Sequence, residues 1–325
     1  MELVVMTKKG IYCPKGDFFI DPKSSVKRAV ITHVHSDHAT RGSDQYYCSS
    51  RCEELLKYRL GKINVLSFDY GEVFNLGEVR VTLFPAGHIL GSSQVRIEYG
   101  EEVWVISGDY KRADDLSCDP FMPVKCNTFI SETTFALPIY QWPDVKLEIK
   151  RLYKWWEDIN RRGKWGVIHL YSVGKAQRIM AELRQLTDRV IYVSKPIFDA
   201  NKIYNNLGVN LGNYEILDEN ILKKEVKKRE PGLLLSSSKN LPFPSVNDYL
   251  SAHTSGWLIN PFKRRLYGCD EGFTISDHAD WPSLLRTCKE SGASRVIGYH
   301  GRGEIFEKHL GQEGIETRGL EIESV

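Results

Sequence analysis

The sequence lacks a cysteine framework. Its seven cysteines, at 13, 48, 52, 118, 126, 269 and 288, are odd in number, contain no Cys-x-x-Cys pair and follow no regular spacing. That pattern excludes a secreted disulfide scaffold and points to a reduced compartment. Long hydrophobic runs are missing too. The opening Met1-Glu2-Leu3-Val4-Val5-Met6-Thr7-Lys8-Lys9 has no apolar core of signal-peptide length, and no later stretch approaches a membrane span. The expectation is a cytoplasmic protein with no membrane partner. Neither an internal repeat nor a low-complexity segment occurs. Charge of one sign is also absent: 44 Lys and Arg against 42 Asp and Glu leave a formal +2. Such a balance says nothing for or against an acidic ligand, so any nucleic-acid surface must come from local patches.

What remains is ordinary globular material, 42% apolar and 26% charged over 325 residues. That length suffices for one large domain or two smaller ones. The first 135 residues read as short β-type runs separated by Gly, Pro and Asp: Val79 to Phe84, Gln94 to Tyr99, Val103 to Ser107 and Thr128 to Ser131. After Phe135 the texture changes. Apolar residues at Val145, Ile149, Leu152, Trp155, Trp156 and Ile159 have helical spacing, which Gly163 ends. Strand-like and helix-like stretches then alternate: Gly166 to Tyr171, Lys175 to Leu186, Val190 to Ser194, Asp199 to Leu207. Alternation of this kind predicts a small α/β layer with parallel pairing. Gly272 to Ser276, a helix from Pro282 to Ser291 and a strand from Arg295 to Gly298 follow. The expected boundaries lie near 135 and 265, with the middle segment inserted into an outer domain built from both ends.

Chemistry is concentrated in Thr32-His33-Val34-His35-Ser36-Asp37-His38, directly behind Ala29-Val30-Ile31. A solvated surface histidine or a satisfied core histidine does not explain three imidazoles and a carboxylate in six positions. If Ala29 to Thr32 is a strand, its end delivers His33 and His35 to one side, because side chains alternate with period two. Neutral imidazole with carboxylate suits zinc, and also manganese, iron or nickel. Three more candidates sit just past apolar runs: His88 after Val79 to Phe84, Asp109 after Val103 to Ser107, and His300 after Arg295 to Tyr299. Strand ends meeting at one edge of a sheet bring such residues within coordination distance. A two-metal site needs about eight ligand positions shared between ions roughly 3.5–4 Å apart. These seven side chains plus a water nearly complete that set.

The order of His-x-His-x-Asp-His, then His88, then Asp109 resembles the metallo-β-lactamase fold, an α/β architecture in which an αββα sandwich carries its ligands on loops at one edge. The resemblance implies that His33, His35 and His88 hold one metal, that Asp37, His38 and His300 hold the other, and that Asp109 bridges. Asp21, in Phe18-Phe19-Ile20-Asp21-Pro22, matches an acidic position that orients a ligand histidine instead of binding metal. Ile130-Ser131-Glu132-Thr133-Thr134-Phe135, Ser276-Asp277-His278-Ala279-Asp280 and His300-Gly301 resemble the three signatures of the β-CASP nucleases, the nucleic-acid-cutting branch of that fold. Residues 1–135 and 265–325 would then form the outer domain and 136–264 the inserted small α/β β-CASP domain. Tyr171-Ser172-Val173-Gly174-Lys175-Ala176-Gln177 matches a segment of that insert. Gly10-Ile11-Tyr12-Cys13, Ser107-Gly108-Asp109-Tyr110-Lys111 and Leu137-Pro138-Ile139-Tyr140-Gln141-Trp142 make the chain most similar to ligase-associated DNA exonucleases, a group related to Artemis-type DNA repair nucleases. Gly301-Arg302-Gly303-Glu304 breaks the His-Gly-Glu of the RNA-cutting members, whereas His300 itself is missing from many Artemis-type enzymes.

What the resemblance implies is phosphodiester hydrolysis in DNA by a hydroxide activated by two divalent metals, zinc first and manganese second. Asp37, Glu132 and His278 would be its catalytic residues, with His278 protonating the leaving group or holding a phosphate oxygen and Glu132 orienting and charge-stabilising His278. Ser172 and Lys175, with the backbone at Gly174, are candidates for a phosphate pocket at a helix start. The basic stretches Arg161-Arg162-Gly163-Lys164, Lys223 to Arg229 and Lys263-Arg264-Arg265 are candidate contacts to a strand, as are Tyr140, Trp142 and Trp257. Expected partners are single-stranded or duplex DNA ends, an ATP-dependent DNA ligase and other repair proteins. Three alternatives stand beside this expectation: an RNA-processing β-CASP nuclease, a non-nucleolytic hydrolase of the same fold, and a non-cutting scaffold.

Overall fold

The structure is a computed structural model that describes residues 2–228, 231–301, 303–317 and 319–322. Arg229, Arg302 and the side chains of Lys224, Lys227, Lys228, Arg264 and Arg265, named among the basic stretches and motifs above, lie outside the described residues. The chain divides into two compact units. One comprises Met1–Asp114, Cys118–Gln141 and His278–Val325, the other Asp115–Ser117 and Trp142–Asp277. The units change over at Gln141/Trp142 and Asp277/His278, where sequence texture set boundaries near 135 and 265. No helix among the described residues is long and apolar enough to cross a membrane.

The first unit holds two six-stranded sheets. One runs β1 (Val5–Thr7), β2 (Gly10–Cys13), β3 (Phe18–Ile20), β4 (Arg28–Val30), β5 (Gln45–Ser49) and β6 (Val65–Phe68), in chain order, with β3 to β6 parallel. The other is an antiparallel meander of β7 (Val73–Leu76), β8 (Val79–Pro85), β9 (Ser93–Tyr99) and β10 (Glu102–Ile106). To this meander are added β11 (Thr128–Thr133) and the late strand Arg295–Gly301, both parallel to β10. One apolar core joins the facing sheets, with Ile11, Phe18, Ile20 and Val30 from the first beside Val81, Val95, Trp104, Ile106 and Ile130 from the second. Sheet-on-sheet burial of this kind is what alternating strands with one apolar face demand. The far face of the second sheet is covered by the helix Trp281–Ser291 and the helix Glu304–Gln312, through Leu284, Cys288, Phe306 and Leu310 packed with Val105, Phe129 and Val296. The first of these starts where Asp280 accepts from the Ser283 amide at 3.1 Å and stops at Gly292, whose φ of +67° is left-handed. Besides these, α1 (Glu53–Leu60) buries Leu55, Leu56 and Leu60.

Strand direction decides where chemistry gathers. Strands β8, β10, β11 and Arg295–Gly301 all point the same way, so His88, Asp109, Glu132 and His300 come off one edge of the second sheet. Asp21 and His33 follow the parallel strands β3 and β4 of the first sheet.

The second unit is a parallel sheet of β12 (Trp165–His169), β13 (Ile191–Val193), β14 (Tyr214–Ile216), β15 (Leu233–Ser236), β16 (Tyr249–Thr254) and β17 (Glu271–Phe273). Its spatial order is β14-β13-β15-β12-β16-β17. The parallel pairing expected from alternating strands and helices is present throughout it. Its helices are α2 (Val145–Arg161), α3 (Lys175–Leu183), α4 (Lys195–Asn206), α5 (Glu219–Lys228) and α6 (Pro261–Leu266). Helix α2 buries the stripe Ile149, Leu152, Trp156 and Ile159, and Asp144 caps it by accepting from the Lys146 amide at 2.7 Å.

Candidate metal centre

The first unit gathers the histidines around one carboxylate. Asp109 follows Gly108, whose φ of +55° turns the chain sharply after β10, and a Cβ at that glycine would lie 2.8 Å from the Thr32 Cβ. The Asp109 Oδ2 is 3.6 Å from His33 Nε2, 3.7 Å from His88 Nε2 and 3.9 Å from His278 Nδ1, while Oδ1 is 3.5 Å from His38 Nε2. His35 Nδ1 lies 3.1 Å from His88 Nε2. The candidate ligand atoms of His33, His35, His88 and Asp109 all fall within 4.8 Å of one another, and so do those of Asp109, Glu132 and His278. Groups of this composition and spacing can bind metal ions.

Two observations test that fit. His33 Nε2 and His38 Nε2 are buried and have no hydrogen-bond partner among the described residues. Buried nitrogens are normally satisfied, and two unsatisfied imidazole nitrogens pointed at one carboxylate suit a cation between them. The electrostatics agree at Asp109 and His33. Burial opposes the charge on Asp109, yet His38, His278, His88 and His35 hold its carboxyl far below the usual range. Burial pushes His33 well down, aided by its imidazole neighbours, so its ring is neutral and fit to ligate. For His38, burial is overcome by Asp109 and Asp21, which raise it to about 10.

Asp21 adopts the left-handed φ of +44°. Its Oδ2 accepts from Thr32 Oγ1 at 2.5 Å and lies 2.7 Å from His38 Nδ1, and its Oδ1 accepts from the Thr32 amide at 2.8 Å. The atoms of Asp21, His33 and His38 are close enough to share an ion. The carboxylate oxygens of Asp21 are, however, already engaged by Thr32 and His38. Thr32 also reaches His33, with Oγ1 3.1 Å from Nδ1. Asp37 and His300 stand at the rim. The exposed Asp37 carboxylate is 3.8 Å from His38 Nε2, and the rings of His38 and His300 are 5.2 Å apart. Burial and His38 lower the His300 pKa against the pull of Asp109, Asp21 and Asp37. Its φ of +55° lies in the region that L-residues rarely occupy.

Glu132 and His278 form a separate pair beside the cluster. The buried Glu132 accepts from the Tyr110 amide at Oε1, 2.7 Å, and its Oε2 is 2.8 Å from His278 Nδ1. Ala279 donates its amide to the Tyr110 carbonyl at 2.6 Å, which fixes the chain just after His278.

Ser172 and Lys175 belong to the second unit. Lys175 is buried, with Nζ 3.0 Å from Asp277 Oδ2 and 2.7 Å from the Ile275 carbonyl oxygen. The Ser172 carbonyl and the Gly174 amide are bonded to Gln177. A buried ammonium demands a carboxylate, and this one is matched inside its own unit, unlike the solvent-facing lysine that a phosphate pocket needs. Of the aromatics, Tyr140 is buried edge-on against Phe135, and Trp257 carries the Lys263 ammonium 4.0 Å above its ring. Sequence reasoning missed Thr32 as a contact of Asp21 and His33, and Tyr110 as the amide behind Glu132. Each stands beside a singled-out residue, and adjacency was the one signal available.

The chain matches no family profile. It is 28% identical over 312 residues, 95% of its length, to a protein of Opitutus terrae named probable DNA ligase. It spans 30% of that relative. Among solved structures it is similar to a protein of unknown function from Enterococcus faecalis, with a TM-score of 0.58 and 12% identity, over 92% of this chain and 79% of that one. At that identity the likeness is one of fold.

Proposed function

We propose that the chain is a metal-dependent DNA exonuclease of the metallo-β-lactamase fold, in its β-CASP branch, acting in DNA repair. The observation that carries this reading is the Glu132–His278 pair, whose His278 Nδ1 lies 3.9 Å from the carboxylate shared by the histidine cluster. A lactamase or thioesterase reading leaves that pair without a task. The name of the Opitutus terrae relative supports a DNA context, and on it we also rest the proposal that an ATP-dependent DNA ligase is a partner.

His33, His35 and His88 would hold one divalent cation and Asp37, His38 and His300 a second, with Asp109 shared. Imidazole and carboxylate favour zinc, with manganese next. Two such cations, when bound, lower the pKa of a water toward neutrality and offset the charge of a phosphodiester. The protein's own groups do the rest. Asp21 and Thr32 hold His38 and His33 in place, so their Nε2 atoms stay aimed at Asp109. Glu132 accepts the Nδ1 proton of His278 and stabilises the imidazolium form, which has a second proton to give to the departing oxygen. The Tyr110 amide keeps the Glu132 carboxylate turned toward that ring.

The test is incubation of metal-loaded protein with end-labelled single-stranded DNA, duplex DNA and matching RNA. Progressive shortening of DNA supports the proposal. Equal cleavage of RNA favours an RNA-processing nuclease, and no cleavage of any strand favours a different hydrolase or a scaffold.

A further inference from the structure

We infer that Lys111 is a positioning residue of the metal centre, tying the loop of Asp109 to the loop of His88; this rests on the metal-binding reading above. Lys111 is 2% exposed, and its Nζ donates to the carbonyl oxygen of His88 at 3.2 Å. Its amide donates to the Ala86 carbonyl at 3.1 Å. Its own carbonyl oxygen would lie 2.5 Å from a Cβ at Gly87, a residue with φ of +72°. The two loops are therefore in contact on both sides of His88. The His88 amide is held as well, by Ser92 Oγ at 3.1 Å. The peptide groups before and after His88 are thus fixed by a hydroxyl and an ammonium, and the imidazole between them reaches Asp109 Oδ2 at 3.7 Å.

A methionine fills nearly the same space without the cost of burying a charge. Among what the Lys111 ammonium holds is the His88 backbone. Two residues beyond Asp109, its ammonium fixes the backbone of the histidine that faces the same carboxylate oxygen as His33. Groups that orient ligands in this way typically change metal affinity by roughly 10- to 100-fold when removed.

The experiment is titration of Zn²⁺ into the metal-free full chain against a competing chromogenic chelator, for wild type and Lys111→Met, with melting temperatures of both metal-free proteins measured alongside. Lys111→Met is expected to lose about tenfold or more in affinity for one of two Zn²⁺ equivalents while the other is unchanged. Lys111→Arg should recover part of the loss. Two equivalents bound as in wild type, with any change confined to melting temperature, would overturn the inference. If the methionine variant does not fold, Lys111→Gln, which buries no charge, is judged by the same two results. A wild-type chain that binds fewer than two equivalents contradicts the two-metal reading instead, and is seen before any variant is made.

Discussion

Asp21 Oδ2 lies 2.7 Å from Nδ1 of His38, so one nitrogen of that ring is fixed and the other is turned toward Asp109. Asp21→Asn, which keeps a residue tolerant of a left-handed φ, should therefore weaken metal binding by roughly 10- to 100-fold. Excess metal should restore cleavage in this variant, whereas His38→Ala should stay inactive at any metal concentration. Equal metal affinity in Asp21→Asn and wild type, measured by chelator competition, would remove Asp21 from the support of the centre.

The Glu132–His278 pair makes a separable prediction. His278→Ala should cut at a rate lower by about 10²- to 10⁴-fold, with metal content intact. Glu132→Gln should slow the reaction through the same ring. Metal content by elemental analysis decides the role: loss of bound metal in His278→Ala would move His278 into the ligand set.

Gly108→Ala should destabilise the protein by about 1–2 kcal/mol from its left-handed φ alone. Contact with Thr32 adds to this, because the new methyl would meet that side chain at 2.8 Å. Thr32 supports both Asp21 and His33, so metal affinity should fall together with melting temperature. A variant that melts lower but binds metal as wild type would show that Thr32 does not transmit the strain.

In metal-free protein His38 is raised from 6.5 to about 10, with burial opposing the shift and Asp109 and Asp21 driving it. A folded pKa above the unfolded one contributes stability that is complete below about pH 6.5 and is lost as pH climbs toward 10. Urea unfolding of chelated protein across that window should show the decline. His38→Gln should flatten it, and parallel profiles would assign the decline to other groups.

Much of this candidate centre was legible because residues able to bind a metal stand out by type and spacing. Three imidazoles and a carboxylate in six positions admit few other readings, and His88, Asp109 and His300 each follow an apolar run. Alternating helix and strand patterns likewise foretold a parallel layer from β12 and β13, whereas β14 to β16 gave no such signal and β17, expected beyond residue 265 in the outer domain, belongs to the second unit. The strands of β1 to β6 were largely invisible because they are three to five residues long, too short for a period to show. Lys175 and Lys111 could not be read as buried, since groups they contact, Asp277 and the His88 carbonyl, lie far along the chain. Thr32 passed as a strand former, and only the fold reveals that its hydroxyl spans Asp21 and His33.

The central claim is that Asp109 and the histidines around it form the centre that cuts DNA. It is tested most directly by comparing metal-loaded wild type with Asp109→Ala on end-labelled single-stranded DNA, with binding of the same DNA measured by fluorescence anisotropy. Wild type should shorten the strand progressively, and Asp109→Ala should bind it with similar affinity and leave it intact. Cleavage by Asp109→Ala at the wild-type rate, or no cleavage by either protein, would contradict the assignment.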